Sequence, residues 1–161
     1  MLIIWYNWIV KTFEKDINST EDMIAFGEEI GSQISGGTVL ELIGDVGAGK
    51  TTFTKGLARA LGIFETVQSP TFTISRIYEG EKMILSHYDF YRLGDYGIME
   101  MELAESLENP NNITVVEWAG DLANILPKKH LRLTFESVSE DCRKIKVEET
   151  KWFYFWIHRV K

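Results

Sequence analysis

Eight consecutive residues, Gly44-Asp45-Val46-Gly47-Ala48-Gly49-Lys50-Thr51, carry the spacing G-x-x-x-x-G-K-[ST]. The chemistry of that spacing is phosphate binding. Glycines let the backbone curl so that successive N–H groups point inward at an anion. Lys50 would then reach the β- and γ-phosphates as a point charge, and the Thr51 hydroxyl would hold Mg²⁺. Gly44, Val46, Gly47, Ala48, Gly49, Lys50, Thr51 and Thr52 are therefore the expected nucleotide contacts.

A phosphate loop needs a further acidic group, for Mg²⁺ or for the attacking water. In open α/β sheets ligands collect at the carboxyl ends of the strands. Glu117 directly follows the apolar run Ile113–Val116, and Asp89 closes the segment Met83–Tyr88. Both are candidates; the plain alternative for each is a strand-end cap or a surface ion pair that stabilises little. Ser69-Pro70-Thr71-Phe72 lies where nucleotide switches keep a hydroxyl that senses the γ-phosphate, which makes Thr71 a candidate, although the segment taken alone reads as a plain turn. Arg92 could neutralise charge developing on the γ-phosphate or pair with a surface acid. Trp118 is either core or a cover that excludes water.

The surrounding elements must place these groups. Thr38–Ile43 reads as a mostly apolar strand entering the loop, and Thr52–Leu61 as the helix leaving it with its N-terminus facing the anion. Upstream, Lys11–Ile17 reads as a first strand. Ser19 and Asp22 resemble a capping box, followed by Met23, Phe26, Ile30 and Ile34 at helical spacing. Gly36-Gly37 breaks that helix. Downstream, Phe72–Tyr78 and Met83–Asp89 alternate as strands around the turn Glu79–Lys82. Ile98–Leu107 reads as a helix, ended by Asn109-Pro110-Asn111-Asn112. Ile113–Val116 is a short β-branched strand of the buried parallel kind. Leu131–Phe135 and Lys144–Val147 read as a final antiparallel pair. This order predicts an α/β three-layer sandwich like that of the P-loop NTPases, its central parallel sheet carrying antiparallel edge strands.

The 161 residues fit one domain with a real core, and 45% hydrophobic with 25% charged residues is ordinary globular composition. A net charge of −7 makes direct gripping of DNA or RNA a poor expectation, because phosphate contacts need Lys and Arg. Cys142 is the only cysteine, so no internal disulfide can form, and the three histidines show no metal-ligand spacing. Residues 1–10 are apolar but shorter than the about 18 needed for a span, and they lack a basic n-region. A cytoplasmic protein without a membrane anchor is the expectation. Residues 151–161 form a second, aromatic extension. Both ends either dock on the body of the domain or offer a partner an exposed edge.

Four motifs occur in order: Gly44–Phe53, Ser69-Pro70-Thr71-Phe72, His87-Tyr88-Asp89-Phe90-Tyr91-Arg92-Leu93 and Val116-Glu117-Trp118. Together they resemble the TsaE (YjeE) family, small bacterial ATPases of tRNA threonylcarbamoyladenosine biosynthesis, from about Phe13 to about Val147. The resemblance implies ATP with Mg²⁺, hydrolysed slowly by the protein alone. It implies that Thr51 and Glu117 hold the metal, that Asp89 is needed for activity, and that Thr20 and Arg143 contact the nucleotide away from the phosphates. It implies TsaD and TsaB as partners. TsaD transfers a threonylcarbamoyl group to adenosine 37 of tRNAs reading codons that begin with A. ATP turnover here would cycle that complex, with tRNA met only through the partners.

Other readings of a phosphate loop remain open at this point. A small-molecule or nucleoside kinase would want an arginine-bearing lid, yet Ala119–His130 offers only Lys128 and Lys129, at its end. A GTPase would want N-K-x-D and a D-x-x-G after the loop, and neither occurs. A nucleotide-gated scaffold would bind ATP without needing its hydrolysis.

Overall fold

The computed structural model describes residues 12–81, 83–91 and 97–150. The terminal extensions at 1–10 and 151–161 lie outside these residues, as does Arg92. Seven strands among the described residues form one sheet: β1 (Thr12–Ile17), β2 (Val39–Ile43), β3 (Ser75–Glu79), β4 (Ile84–Asp89), β5 (Asn112–Glu117), β6 (Leu131–Ser137) and β7 (Arg143–Glu149). Their spatial order is β1-β7-β6-β2-β5-β4-β3. The middle four, β6, β2, β5 and β4, are mutually parallel. Antiparallel strands flank them on both sides. The expected architecture of a parallel centre with antiparallel edges is therefore the one observed.

Helices cover both faces. On one lie α1 (Thr20–Gln33) and α2 (Lys50–Ala60); on the other lie α3 (Gly97–Glu108) and the 3-10 turn Gly120–Ile125. The strand pattern explains the two layers. Side chains alternate across a strand, so Leu40, Leu42, Ile113, Val115 and Leu85 join the α1/α2 core, while Val39, Val116 and Tyr88 join the α3 core. All six residues of β5 are buried, as a central parallel strand requires. At the edge only Ile17 of β1 is buried.

α1 forms where the capping signal and the 3.6-residue stripe coincide. Ser19 Oγ accepts from the Asp22 N–H at 3.0 Å, and the Asp22 carboxylate accepts from the Asn18 N–H at 3.0 Å. Met23, Phe26, Gly27, Ile30 and Gly31 make the buried stripe. Glycine is required where α1 meets α2. A Cβ on Gly27 would collide with the carbonyl oxygen of Phe53, and one on Gly56 with that of Ile24. Backbone touches backbone there, and α2 is pressed against α1 with no side chain between. That contact fixes the direction in which the N-terminus of α2 points.

One element is shorter than its pattern suggests. Phe72–Tyr78 alternates like a strand, but β3 begins only at Ser75. The N–H groups of Thr73 and Ile74 both bond the Pro70 carbonyl, at 2.9 and 2.6 Å, which closes a turn. Ile74 sits at φ 69°, a left-handed conformation unusual for a β-branched residue. Among the described residues no helix is long and apolar enough to cross a membrane.

Candidate functional site

β2 ends at Ile43 and α2 begins at Lys50, so the six residues between them must reverse the chain at the carboxyl edge of the parallel strands. They do so through left-handed backbone at Gly47 (φ 82°) and Gly49 (φ 102°), which side-chain-bearing residues rarely adopt. Gly49 is the N-cap of α2 and offers no side chain to the first turn. The leading N–H groups of a helix have no intrahelical acceptor, and here they open onto a cavity with the helix dipole behind them.

That cavity measures about 500 Å³ and is lined by Val46, Gly47, Gly49, Lys50, Thr51, Thr52, Ser69, Thr71, Phe72, Asp89, Tyr91, Glu117 and Trp118. The loop, the two strand-end acids and the Ser-Pro-Thr segment, separate in sequence, share one space. Asp89 and Glu117 are register partners at the ends of β4 and β5. Ala48 is buried beneath the loop, and Gly44 backs onto Phe135 of β6.

Lys50 is buried. Its Nζ donates to the carbonyl oxygens of Gly44 at 2.7 Å and Asp45 at 3.0 Å, bracing the loop, and lies 3.6 Å from Glu117 Oε2. Trp118 stands over it, Nζ to ring centroid 5.2 Å. Trp118 is itself held at φ 54°, turning the chain sharply where β5 ends, and its ring packs on Tyr91 at 4.9 Å. Trp118 is 37% exposed and lines the cavity, so it is not a core residue.

Asp89 and Glu117 differ in what they leave free. Asp89 Oδ2 accepts from the Thr71 hydroxyl at 2.5 Å and Oδ1 from the Tyr91 N–H at 3.0 Å. The Asp89 N–H bonds the Ile74 carbonyl at 2.8 Å, so Asp89 clasps the Ser69–Ile74 turn with backbone and side chain. Ser69 Oγ lies 2.6 Å from Thr71 Oγ1 and extends that chain. Glu117 has Oε1 2.9 Å from His87 Nε2, while Oε2 lies on the Lys50 side. His87 has no exposed surface and escapes a reading for metal spacing, because its signal is positional. It stands two residues before Asp89 on the same strand, hence on the same face.

Thr20 and Arg143 do not line this cavity. They meet in a neighbouring one of about 430 Å³ with Asn18, Met23, Glu140 and Asp141. The two cavities share Gly47, Gly49 and Thr52, so they flank the loop. Arg143 Nη1 donates to the carbonyl oxygens of Ser139, Glu140 and Cys142 at 2.9–3.0 Å, which shapes the β6–β7 turn as that cavity's wall.

The donor set suits a hard cation with a phosphate chain. Thr51 and Glu117 offer oxygen to one cavity, and Mg²⁺ takes one or two protein oxygens and completes its shell with phosphate and water. Among the described residues no cluster of three His, Cys, Asp or Glu could cage a metal without such help.

Residues 17–145 match the family model described as threonylcarbamoyl adenosine biosynthesis protein TsaE. The chain belongs to the TsaE family. A TsaE protein of Bacillus subtilis is 42% identical over 109 residues, covering 68% of each chain. Those of Treponema pallidum and Mycobacterium tuberculosis are 34% and 33% identical, over 80% and 78% of this chain and 95% and 79% of their own. The crystal structure of Bacillus subtilis YdiB superposes with a TM-score of 0.73 at 31% identity over 88% of both chains. All four motifs that carried the resemblance to TsaE lie inside the matched span.

Proposed function

We propose that the chain is a Mg²⁺-dependent ATPase that supports tRNA threonylcarbamoyladenosine formation by driving the cycle of a TsaD–TsaB complex. The observation that carries the reading is the convergence of Lys50 and Glu117, 3.6 Å apart and buried, on a cavity walled by a phosphate loop. The family's role in threonylcarbamoyl adenosine biosynthesis supplies the pathway, and the acidic charge of the chain favours reaching tRNA through partners.

The loop N–H groups and Lys50 would bind the triphosphate. Lys50 would exchange the Gly44 and Asp45 carbonyls for phosphate oxygens, a stronger charge-assisted contact. Thr51 and Glu117 would hold Mg²⁺, which when bound neutralises charge shared between the terminal phosphates. Asp89 would keep the Ser69–Ile74 turn, and with it the Thr71 hydroxyl, against the γ-phosphate end. Trp118 and Tyr91 would exclude bulk water there. The cavity flanking the loop at Thr20 and Arg143 would take the nucleoside end. The protein would act in the cytoplasm as one ATPase domain.

Phosphate release from Mg-ATP, measured alone and with TsaD and TsaB added, tests the reading. Slow hydrolysis by the chain alone, changed by the partners and strongly depressed in Glu117→Ala, is expected. Transfer of phosphate to a small hydroxyl compound would favour a kinase. Normal partner cycling with Glu117→Ala bound to ATP would favour a scaffold.

A further inference from the structure

Two buried nitrogen atoms have no hydrogen-bond partner among the described residues: Nδ1 of His87 and Nε of Arg76. Buried polar groups left unpaired are rare and costly, so each calls for a cause. The two residues are not independent. Arg76 of β3 and His87 of β4 are directly opposed in the antiparallel register. Opposed residues project from the same face with Cβ atoms about 4.5–5.5 Å apart.

We propose that His87 is a positioning residue for Glu117 and that Arg76 sets its tautomer. The inference rests on the ATPase reading of the same site. Nε2 of His87 lies 2.9 Å from Glu117 Oε1, and a carboxylate oxygen accepts, so Nε2 carries the hydrogen. In the neutral imidazole Nδ1 is then a bare lone pair. Arg76 Nε–H can only donate. The two orphaned atoms are thus complementary, and one water bridging them would satisfy both. The opposite tautomer would set a lone pair against the carboxylate and a buried N–H against the Arg76 donor.

The consequence falls on the carboxylate. The terminal torsion of a glutamate is broad and roughly two-fold, so an unheld carboxylate turns easily. With Oε1 taken by His87, Oε2 is left on the Lys50 side. The chain Arg76–His87–Glu117 therefore runs from the edge strand to the site and fixes which oxygen the site uses. This matches the way outer partners orient metal-binding side chains elsewhere.

Two measurements test it together. In the wild-type protein labelled with ¹⁵N-histidine, the His87 ring, assigned by its loss in His87→Gln, is expected to show a hydrogen on Nε2 and none on Nδ1. Arg76→Met should move the Nδ1 resonance. The opposite tautomer, or an Nδ1 signal indifferent to Arg76, overturns the proposal. In Mg-ATP hydrolysis, His87→Leu is expected to lose about 10- to 100-fold in kcat or in Mg²⁺ affinity, with little change in KM for ATP. His87→Gln, whose amide nitrogen can reach the same oxygen, should recover most of it. Equal kinetics for the Leu and Gln variants would leave His87 a core residue and overturn the proposal. If His87→Leu does not fold, His87→Gln against Arg76→Met carries the kinetic arm, and wild-type Mg²⁺ dependence in Arg76→Met counts against it. Absence of Mg-ATP binding to the wild-type protein would instead defeat the ATPase reading, while the tautomer result would stand by itself.

Discussion

Two glutamates, Glu41 and Glu117, sit buried on neighbouring strands of the same sheet, each with a histidine and a cation beside it. Glu41 Oε2 takes His130 Nε2 at 3.1 Å and Arg132 Nε at 2.7 Å. Glu117 has His87 at 2.9 Å and Lys50 at 3.6 Å. The residue types are nearly the same; the closure is not. At Glu41 the cation is within full hydrogen-bonding distance, and His130 also has the Pro127 carbonyl 2.7 Å from Nδ1. Hydrogen bonding to His130, with Arg132 adding to it against the cost of burial, holds the Glu41 carboxyl below its ordinary range. At Glu117 the cation stands off, tied to the loop carbonyls, and the carboxylate borders a cavity. A closed trio pins β2 to β6. An open one leaves charge available to a ligand. What separates a lock from a site is whether each charge has spent its hydrogen bonds inside the protein.

Breaking the open trio should have the largest effect. Glu117→Ala is expected to lower ATP turnover by about 10²–10³-fold, the scale of removing one positioned electrostatic group, with a much smaller change in binding. Stopped assays of phosphate release beside calorimetric ATP titration check the split. Lys50→Ala comes next. Losing a charged hydrogen-bond donor at the phosphates should weaken ATP binding by about 1.5–3 kcal/mol, on the order of 10- to 100-fold in Kd by calorimetry.

Breaking the closed trio should cost stability and spare turnover. Arg132→Ala is expected to destabilise by about 1.5 kcal/mol, at the low end for a charged hydrogen bond, because the Arg132 side chain is 40% exposed and screened. Calorimetry should find the melting temperature about 3–6 °C lower with kcat for ATP unchanged. A loss of turnover would erase the distinction between the trios. The smallest effect is the pH dependence. Glu41 is depressed in the fold, so its contribution is complete above the ordinary glutamate value of 4.5 and is lost as pH falls through the lower folded value. Glu41→Gln should flatten the acid side of the stability curve over that window. A curve identical to wild type would mean that the carboxylate contributes nothing there.

The two trios also show what a sequence discloses. The phosphate loop is contiguous, and its glycines and Lys50 announce their chemistry by spacing alone. Glu117 and Asp89 are legible because a short β-branched run followed by an acid marks the carboxyl end of a buried strand. The parallel centre and antiparallel edges follow from the order of such runs. His87 is illegible by those means, since its role depends on β4 lying beside β5. The different duties of Asp89 and Glu117 are equally invisible in the chain, because they depend on the Thr71 hydroxyl and the Tyr91 N–H arriving at Asp89 from the flanking segments. The alternation over Phe72–Tyr78 misleads about where β3 starts. Its first half is drawn into the turn that Asp89 clasps, and the ladder begins only beyond Ile74. Glu41 gives no sign in sequence of being buried, and its partners lie far along the chain, Arg132 on β6 and His130 just before it.

The central claim is that the crook between β2 and α2 holds a triphosphate with Lys50 and Glu117 at its working end. A crystal structure grown with Mg²⁺ and a non-hydrolysable ATP analogue tests it most directly. Phosphate density within the loop from Gly44 to Thr51, with the Lys50 ammonium moved from the Gly44 and Asp45 carbonyls onto phosphate oxygen, is the expected result. An empty loop with Lys50 still bound to those carbonyls, at saturating analogue, would contradict it.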